Sequence, residues 1–234
     1  CGSRLAHAVA KVGSPYQAVS LFQQVLSAGF DPDQLDDSLA LADLYAGPLG
    51  DPVSAEQILW TALEHCPDND AVLQRTLAAS RRAGTLHDTA KRLERTARLA
   101  APEVLSAANR RALLRRVAGL MADELGRFKQ AAAIWDELAD GALTPEDQRK
   151  LRVKEAAALS KVPGQEAECH SLLMRLQRQD PFDATVYRGL EALYDDLNDY
   201  SRLRVSQQVR YVVDAEADID RHDIGRRKVQ PGRV

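Results

Sequence analysis

The stretch GDPVSAEQILWTALEHCP, residues 50–67, sets the fold because its landmarks return one repeat later in GTLHDTAKRLERTARLAAP, residues 84–102. Ala55, Ala62 and Pro67 reappear as Ala90, Ala97 and Pro102, each displaced by 35 positions. The pattern is a small residue, a second small residue seven positions later and a proline five positions after that. Chance rarely makes all three recur at one displacement. A period of this size indicates a repeat architecture.

The same landmark can be followed along the whole chain, with spacings of 37, 35, 41, 38 and 34 residues, at Ala18, Ala55, Ala90, Ala131, Cys169 and Leu203. Each landmark comes a few residues after a turn, and each turn contains Gly or Asn, at Gly13, Gly50, Gly84, Gly126, Gly164 and Asn198. These residues tolerate the left-handed backbone conformation that ends one helix before the next begins. The spacing therefore predicts six two-helix units.

Between the turns the apolar residues follow a helical period, as at Leu114, Val117, Ala118, Met121 and Leu125. Prolines mark the helix ends at Cys66-Pro67, Ala101-Pro102 and Asp180-Pro181. Asp31-Pro32-Asp33 and Asp68-Asn69-Asp70 are interpreted as helix starts, where short acidic side chains cap free amides. The predicted class is all-α, with small landmark residues where paired antiparallel helices approach closely and with neighbouring pairs stacked into one core.

The chain resembles the tetratricopeptide repeat (TPR) family. In the last repeat Tyr187, Leu190 and Tyr194 match the family's positions 4, 7 and 11, and Asn198-Asp199-Tyr200 stands where Gly-Asp-Tyr is usual. The second repeat matches the other half of the unit with Gly50, Asp51, Ala55, Leu59, Ala62 and Pro67. The repeats are degenerate, since Cys169 and Leu203 replace the first alanine in the last two.

The resemblance implies a right-handed superhelical solenoid over residues 1–214, with repeats near 1–32, 35–68, 70–103, 111–144, 150–183 and 184–214. Residues 215–234 are expected to form a C-terminal helix extension followed by a basic tail. The fold class says little about function, because it hosts many binding tasks.

The resemblance also implies that positions 2, 5, 9, 12 and 13 of each first helix line a concave groove. We expect this groove to be basic, with partner-binding cations at Arg81, Arg82, Arg115, Lys154, Lys161 and Arg188. Stacked cations suit an acidic peptide or a C-terminal carboxylate. The alternative is a solvated face that Asp195, Asp196 and Glu155 neutralise in part. The family's carboxylate clamp needs Asn at position 9, where this chain has Asp43, Ala78, Gly119, Ala158 and Ala192.

The composition excludes several function classes. The 31 basic and 34 acidic residues leave a net charge of −3, which creates no global attraction to nucleic acid or anionic membranes. Three cysteines are too few for a disulfide framework, and Cys169-His170 and His65-Cys66 do not have metal-site spacing. No GxSxG, phosphate-loop or HExxH motif occurs, and we expect no enzymatic activity, no cofactor and no metal.

The leading functional prediction is a non-catalytic scaffold that binds a protein or peptide, as a segment of a larger bacterial protein. A second hypothesis is an envelope adaptor, periplasmic or lipid-anchored through Cys1, that serves polysaccharide export or outer-membrane assembly; otherwise we expect a cytoplasmic location with no membrane span. A third is RNA binding, since helical repeats of similar length also read RNA. The sequence leaves the partner and the oligomeric state open.

Overall fold

The computed structural model describes residues 2–11, 13–27 and 34–227, with side chains described as far as residue 214. Every regular element in this part of the chain is an α-helix. Cys1, the Asp31-Pro32-Asp33 segment and residues 228–234 of the predicted basic tail lie outside the described residues. The all-α prediction is confirmed, whereas the superhelical path stays a prediction.

The chain divides into two compact units, Cys1–Val117 and Ala118–Val234. The first unit holds six helices and the start of a seventh: α1 Gly2–Lys11, α2 Pro15–Leu26, α3 Leu35–Ala46, α4 Pro52–His65, α5 Asp70–Ala83, α6 Leu86–Leu99 and α7 Ala107–Asp123. The second unit holds the end of α7 and five more helices: α8 Phe128–Asp140, α9 Pro145–Leu159, α10 Glu166–Gln179, α11 Ala184–Asp196 and α12 Tyr200–Arg227.

Within each unit consecutive helices pack against each other, as α3 does on α4 and α4 on α5 in the first unit, and α8 on α9 and α10 on α11 in the second. Odd-numbered helices also touch across the intervening helix, with α1 on α3 and α9 on α11. These odd-numbered helices are called first helices below, because each opens a helix pair. The pattern is that of a TPR-like helical repeat, in which stacked pairs share their apolar faces.

The turns between paired helices agree with the sequence prediction. All six predicted residues have positive φ, with values of 89°, 64°, 74°, 62°, 85° and 55° at Gly13, Gly50, Gly84, Gly126, Gly164 and Asn198. At Gly84 the left-handed conformation lets its backbone N–H bond the Ser80 carbonyl and end α5. Asn69 caps the start of α5 by accepting hydrogen bonds from the amides of Ala71 and Val72. The predicted helix start is therefore confirmed, but the cap is an amide side chain and not the acidic one expected.

Five of the six landmark residues are fully inside the protein, and the sixth, Leu203, is half-buried. Ala18, Ala55, Ala90, Ala131 and Cys169 are all completely buried. Large neighbours such as Phe22, Leu59 and Trp135 fill the space beside them and are also buried. An interior packed to this density has no room for added methylenes without distorting side chains or backbone.

We predict that Ala90→Leu destabilises the protein by about 1–3 kcal/mol, because the larger side chain overpacks the contact of α6. Urea unfolding followed by circular dichroism measures the change. The matched control is Ala78→Leu on the exposed face of α5, which should stay within about 0.5 kcal/mol of the native chain. Equal stability of the two variants would contradict the close-approach role of the landmark residues.

Candidate functional site

Each first helix leaves one stripe of side chains in solvent. On α5 the exposed stripe contains Ala71, Gln74, Ala78 and Arg81, and on α11 it contains Thr185, Arg188, Ala192 and Asp195. The spacing of three or four residues keeps each stripe on one helix face. Small and charged side chains therefore alternate along the surface where the sequence predicted partner binding.

In the first unit the structure places the predicted cations at two locations. Arg81 and Arg82 lie in the last turn of α5 and are exposed, and Arg115 lies half-buried on α7. The Arg82 Nη1 atom donates to the carbonyl of Ala46, the last residue of α3, at 3.2 Å. This bond satisfies a carbonyl at a helix C-terminus, where a cation also meets the negative end of the helix dipole.

In the second unit the three predicted cations lie on α9, on its following turn and on α11. Lys154 is exposed, with its ammonium 4.7 Å from the ring centroid of the buried Trp135. Lys161 Nζ lies 2.8 Å from Asp196 Oδ2 at the end of α11. Arg188 is 61% exposed, and its Nη2 atom lies 3.9 Å from Oδ1 of Asp214. The α9–α11 contact brings these residues onto adjacent helices.

Ion pairs join neighbouring first helices, and the sequence analysis foresaw only one of them. Arg75 on α5 lies 3.4 Å from Asp43 on α3, and Arg116 on α7 pairs with Asp70 on α5. The pair between Lys161 and Asp196 is the one that the sequence anticipated as charge neutralisation. Asp43 and Arg75 are 32 residues apart and Asp70 and Arg116 are 46 apart, so neither pair follows the repeat spacing and the sequence carried no signal for them.

A buried carboxylate that sequence reasoning missed joins three helices of the first unit. Glu56 on α4 is buried, with the hydroxyls of Ser80 and Thr89 each 2.8 Å from its Oε1 atom. The hydroxyl of Thr85, at the start of α6, donates to Oε2 at 2.6 Å. Burial opposes ionisation, but these hydrogen bonds outweigh it and hold the pKa of Glu56 below its usual value.

The second unit contains a polar cleft of about 630 Å³ between α8, α9 and α10. Arg152 pairs there with Asp136, Asp140 and Glu155, the last at 2.7 Å. Burial raises the pKa of Glu155 above its usual value, and the guanidinium of Arg152 offsets only part of this effect. Arg149 and Arg175 line the same cleft together with Glu168, so cations and carboxylates are mixed along its walls.

Cys169 and His170 pack inside the second unit. Cys169 is buried and its pKa is raised to about 11 by that burial, so its thiol stays protonated at neutral pH. The neighbouring His170 Nε2 lies 3.1 Å from the Tyr194 hydroxyl. Among the residues that the structure describes, no three His, Cys, Asp or Glu side chains are grouped closely enough to hold a metal ion. Over the same part of the chain, no helix has both the length and the apolar character needed to span a bilayer.

We predict that Glu56→Gln lowers the free energy of unfolding by about 1–3 kcal/mol at neutral pH. The carboxylate accepts hydrogen bonds from the surrounding hydroxyls, whereas the amide N–H₂ of glutamine would place a donor against these donors. Because the pKa of Glu56 is lowered in the folded protein, its ionised carboxylate adds to the free energy of unfolding. This stabilisation is complete above the ordinary glutamate pKa of about 4.3 and is lost as the pH falls through the lower pKa of the folded state. The gap between native and variant chains should therefore close on acidification.

Urea unfolding at a series of pH values measures this gap. The control is Glu103→Gln, which changes an exposed glutamate of the same unit and should leave stability unaltered at every pH. A Glu56→Gln chain as stable as the native one at neutral pH would show that the hydroxyl cluster contributes nothing.

No family model matches the chain, and no curated protein matches it. Among solved structures it is similar to one titled "MamA MSR-1 C2", with 14% identity and a TM-score of 0.35 over 92% of this chain and 96% of that one. A point mutant of MamA gives 16% identity and a TM-score of 0.32 over 91% and 95% of the two chains. Similarity at this level carries no functional argument. The assignment as an all-α, TPR-like helical-repeat protein is therefore based on the paired helices themselves.

Proposed function

We propose that this chain is a non-catalytic protein-binding scaffold of six TPR-like repeats, one for each helix pair from α1–α2 to α11–α12. Its partner contacts the exposed stripes of the first helices. The binding cations are Arg81, Arg82 and Arg115 in the first unit and Lys154, Lys161 and Arg188 in the second. The preferred partner is an acidic segment of a protein.

The observation that carries the proposal is the arrangement of cations on α9 and α11. Lys154 is exposed on α9, and Lys161 is exposed in the turn that follows this helix. Arg188 is exposed on the adjacent α11. The 2.8 Å ion pair between Lys161 and Asp196 joins the turn after α9 to the C-terminal end of α11. An extended peptide laid across them can meet all three cations.

The acids that already contact these cations do not prevent binding. The side chains of Lys161 and Asp196 are 48% and 46% exposed, and the Arg188–Asp214 separation is 3.9 Å. Exposed pairs of this kind contribute about 0–1 kcal/mol, so an incoming carboxylate competes with them at small cost. Arginine also offers a carboxylate two parallel hydrogen bonds.

An open stripe favours binding over catalysis. Catalytic sites generally lie in concave, shielded pockets where a few polar groups converge. The side chains proposed here lie on solvent-facing helix surfaces, and small residues such as Ala78 and Ala192 separate them. Such a surface lets a peptide backbone approach closely while its side chains reach the flanking charges.

We predict that the chain binds a fluorescein-labelled glutamate-rich peptide more tightly than a lysine-rich peptide of equal length, as measured by fluorescence anisotropy. The double variant Lys154→Glu with Lys161→Glu should weaken binding of the glutamate-rich peptide at least about tenfold, because it replaces two attractive contacts by repulsive ones. The matched control is Arg178→Glu, an exposed charge reversal on α10, which should leave affinity unchanged.

Equal affinity for the two peptides, or unchanged affinity of the double variant with native helicity, would contradict the proposal. Tight retention of a labelled single-stranded RNA at physiological salt, without peptide binding, would favour the RNA-binding alternative instead.

A further inference from the structure

Helix α12 exposes an apolar stripe that its own unit does not cover. Val205, Val209 and Val212 are spaced by four and three residues and are 61%, 37% and 55% exposed. A different face of the same helix carries the buried residues Ser206 and Val213, and Ser206 lies 3.5 Å from the carbonyl of Tyr187 on α11. The helix therefore has one apolar face packed on α11 and a second one in solvent. Exposed apolar stripes with this spacing are typical of helix–helix interfaces.

A recess lies directly beside the stripe. Val205 and Val209 line a cavity of about 370 Å³ together with Met174, Tyr187, Leu190 and Tyr194. Helices that pack together insert side chains into holes formed by the facing helix. The recess gives the first half of the stripe a hole of this kind, with an adaptable methionine in its wall.

The length of α12 also calls for a second packing partner. Its 28 residues extend for about 42 Å, whereas the 13 residues of α11 extend for about 20 Å. Helix α11 can therefore accompany only about half of α12. Helical segments of this size are marginal in water by themselves and are stabilised mainly by tertiary packing.

The charges of α12 are separated along its length. The first half, residues 200–213, contains Arg202, Arg204 and Arg210 and no acid. The second half, residues 214–227, is acidic on balance, because its five acids outnumber its three arginines: Asp214, Glu216, Asp218, Asp220 and Asp223 against Arg221, Arg226 and Arg227. Beside a second α12 in antiparallel orientation, each basic half meets an acidic half. A parallel arrangement would put like charges together, and a partner of a single charge sign would satisfy only one half. The helix is thus complementary to its own reversed copy, which is the requirement for a two-fold symmetric contact.

We propose that the Val205–Val209–Val212 stripe is the contact surface for α12 of a second copy of this chain, packed antiparallel about a two-fold axis. This contact goes beyond peptide binding and uses a different surface. It would turn one scaffold into a pair, so that one assembly presents two sets of first-helix stripes.

Sedimentation equilibrium of the native chain measures the association. We expect a mass of twice 25.7 kDa at about 100 μM protein. Val205→Glu with Val209→Glu should weaken dimerisation at least about tenfold, because four carboxylates enter the apolar contact. The matched control, Val53→Glu on α4, changes a valine that is 50% exposed and should leave the dimer intact. Helicity and urea unfolding verify that every variant is folded.

A charge exchange tests the antiparallel orientation. A two-fold axis through the stripe places Arg202 and Arg204 opposite Glu216 and Asp214 of the second copy. The variant Arg202→Glu with Arg204→Glu and the variant Asp214→Arg with Glu216→Arg should each be monomeric, and an equimolar mixture of the two should form a heterodimer. A native chain that stays monomeric at about 100 μM, or a dimer that survives the two valine changes, would overturn the proposal. Native-like dimers of either charge variant alone would overturn the antiparallel arrangement.

Discussion

The close approach of paired helices at completely buried small residues is the constraint on which the rest of the fold depends. Ala55 in α4 and Ala90 in α6 occupy contacts where a larger side chain would force the helices apart. A single pair closed in this way still exposes an apolar face, so the next pair must cover it. After stacking, each first helix has its outer, solvent-facing surface available for other contacts.

Charges at the ends and outer faces of the first helices have two uses. Some tie neighbouring helices together, as Arg75 and Asp43 do between α5 and α3. Others extend into solvent with only loose intramolecular contacts, as Arg188 does. The first group orients the helices and the second is suited to a partner, because a weakly held exposed cation exchanges one carboxylate for another at little cost. Lys161 belongs to both groups, since its exposed ammonium contacts Asp196.

Polar groups also connect helices inside the first unit. Among the side chains that the structure describes, no cation pairs with the buried carboxylate of Glu56. Hydroxyls from α5, the following turn and α6 donate hydrogen bonds to it instead. A buried charge is tolerated when its lone pairs are filled by donors, and it becomes costly when one donor is lost. The cluster thus adds directional contacts to packing that is otherwise apolar and non-directional.

The sequence by itself was sufficient for the helices and their turns. The periodic apolar residues, the prolines after α4 and α10 and the residues with positive φ such as Gly84 and Asn198 are local signals, because backbone sterics act over a few neighbouring residues. It also indicated which helix faces are exposed, as at Gln74 and Arg188, because burial follows the helical period.

Only the tertiary structure decided which side chains meet. Glu56 and Thr89 are 33 residues apart and Lys161 and Asp196 are 35 apart, so their pairing depends on how helices stack and not on local preference. The same holds for α12. Its apolar residues are those of an ordinary helix in the sequence, and one group of them became an uncovered face only when α11 packed against the neighbouring face. Contacts between distant residues depend on the positions of whole helices, which a periodic pattern in one helix does not specify.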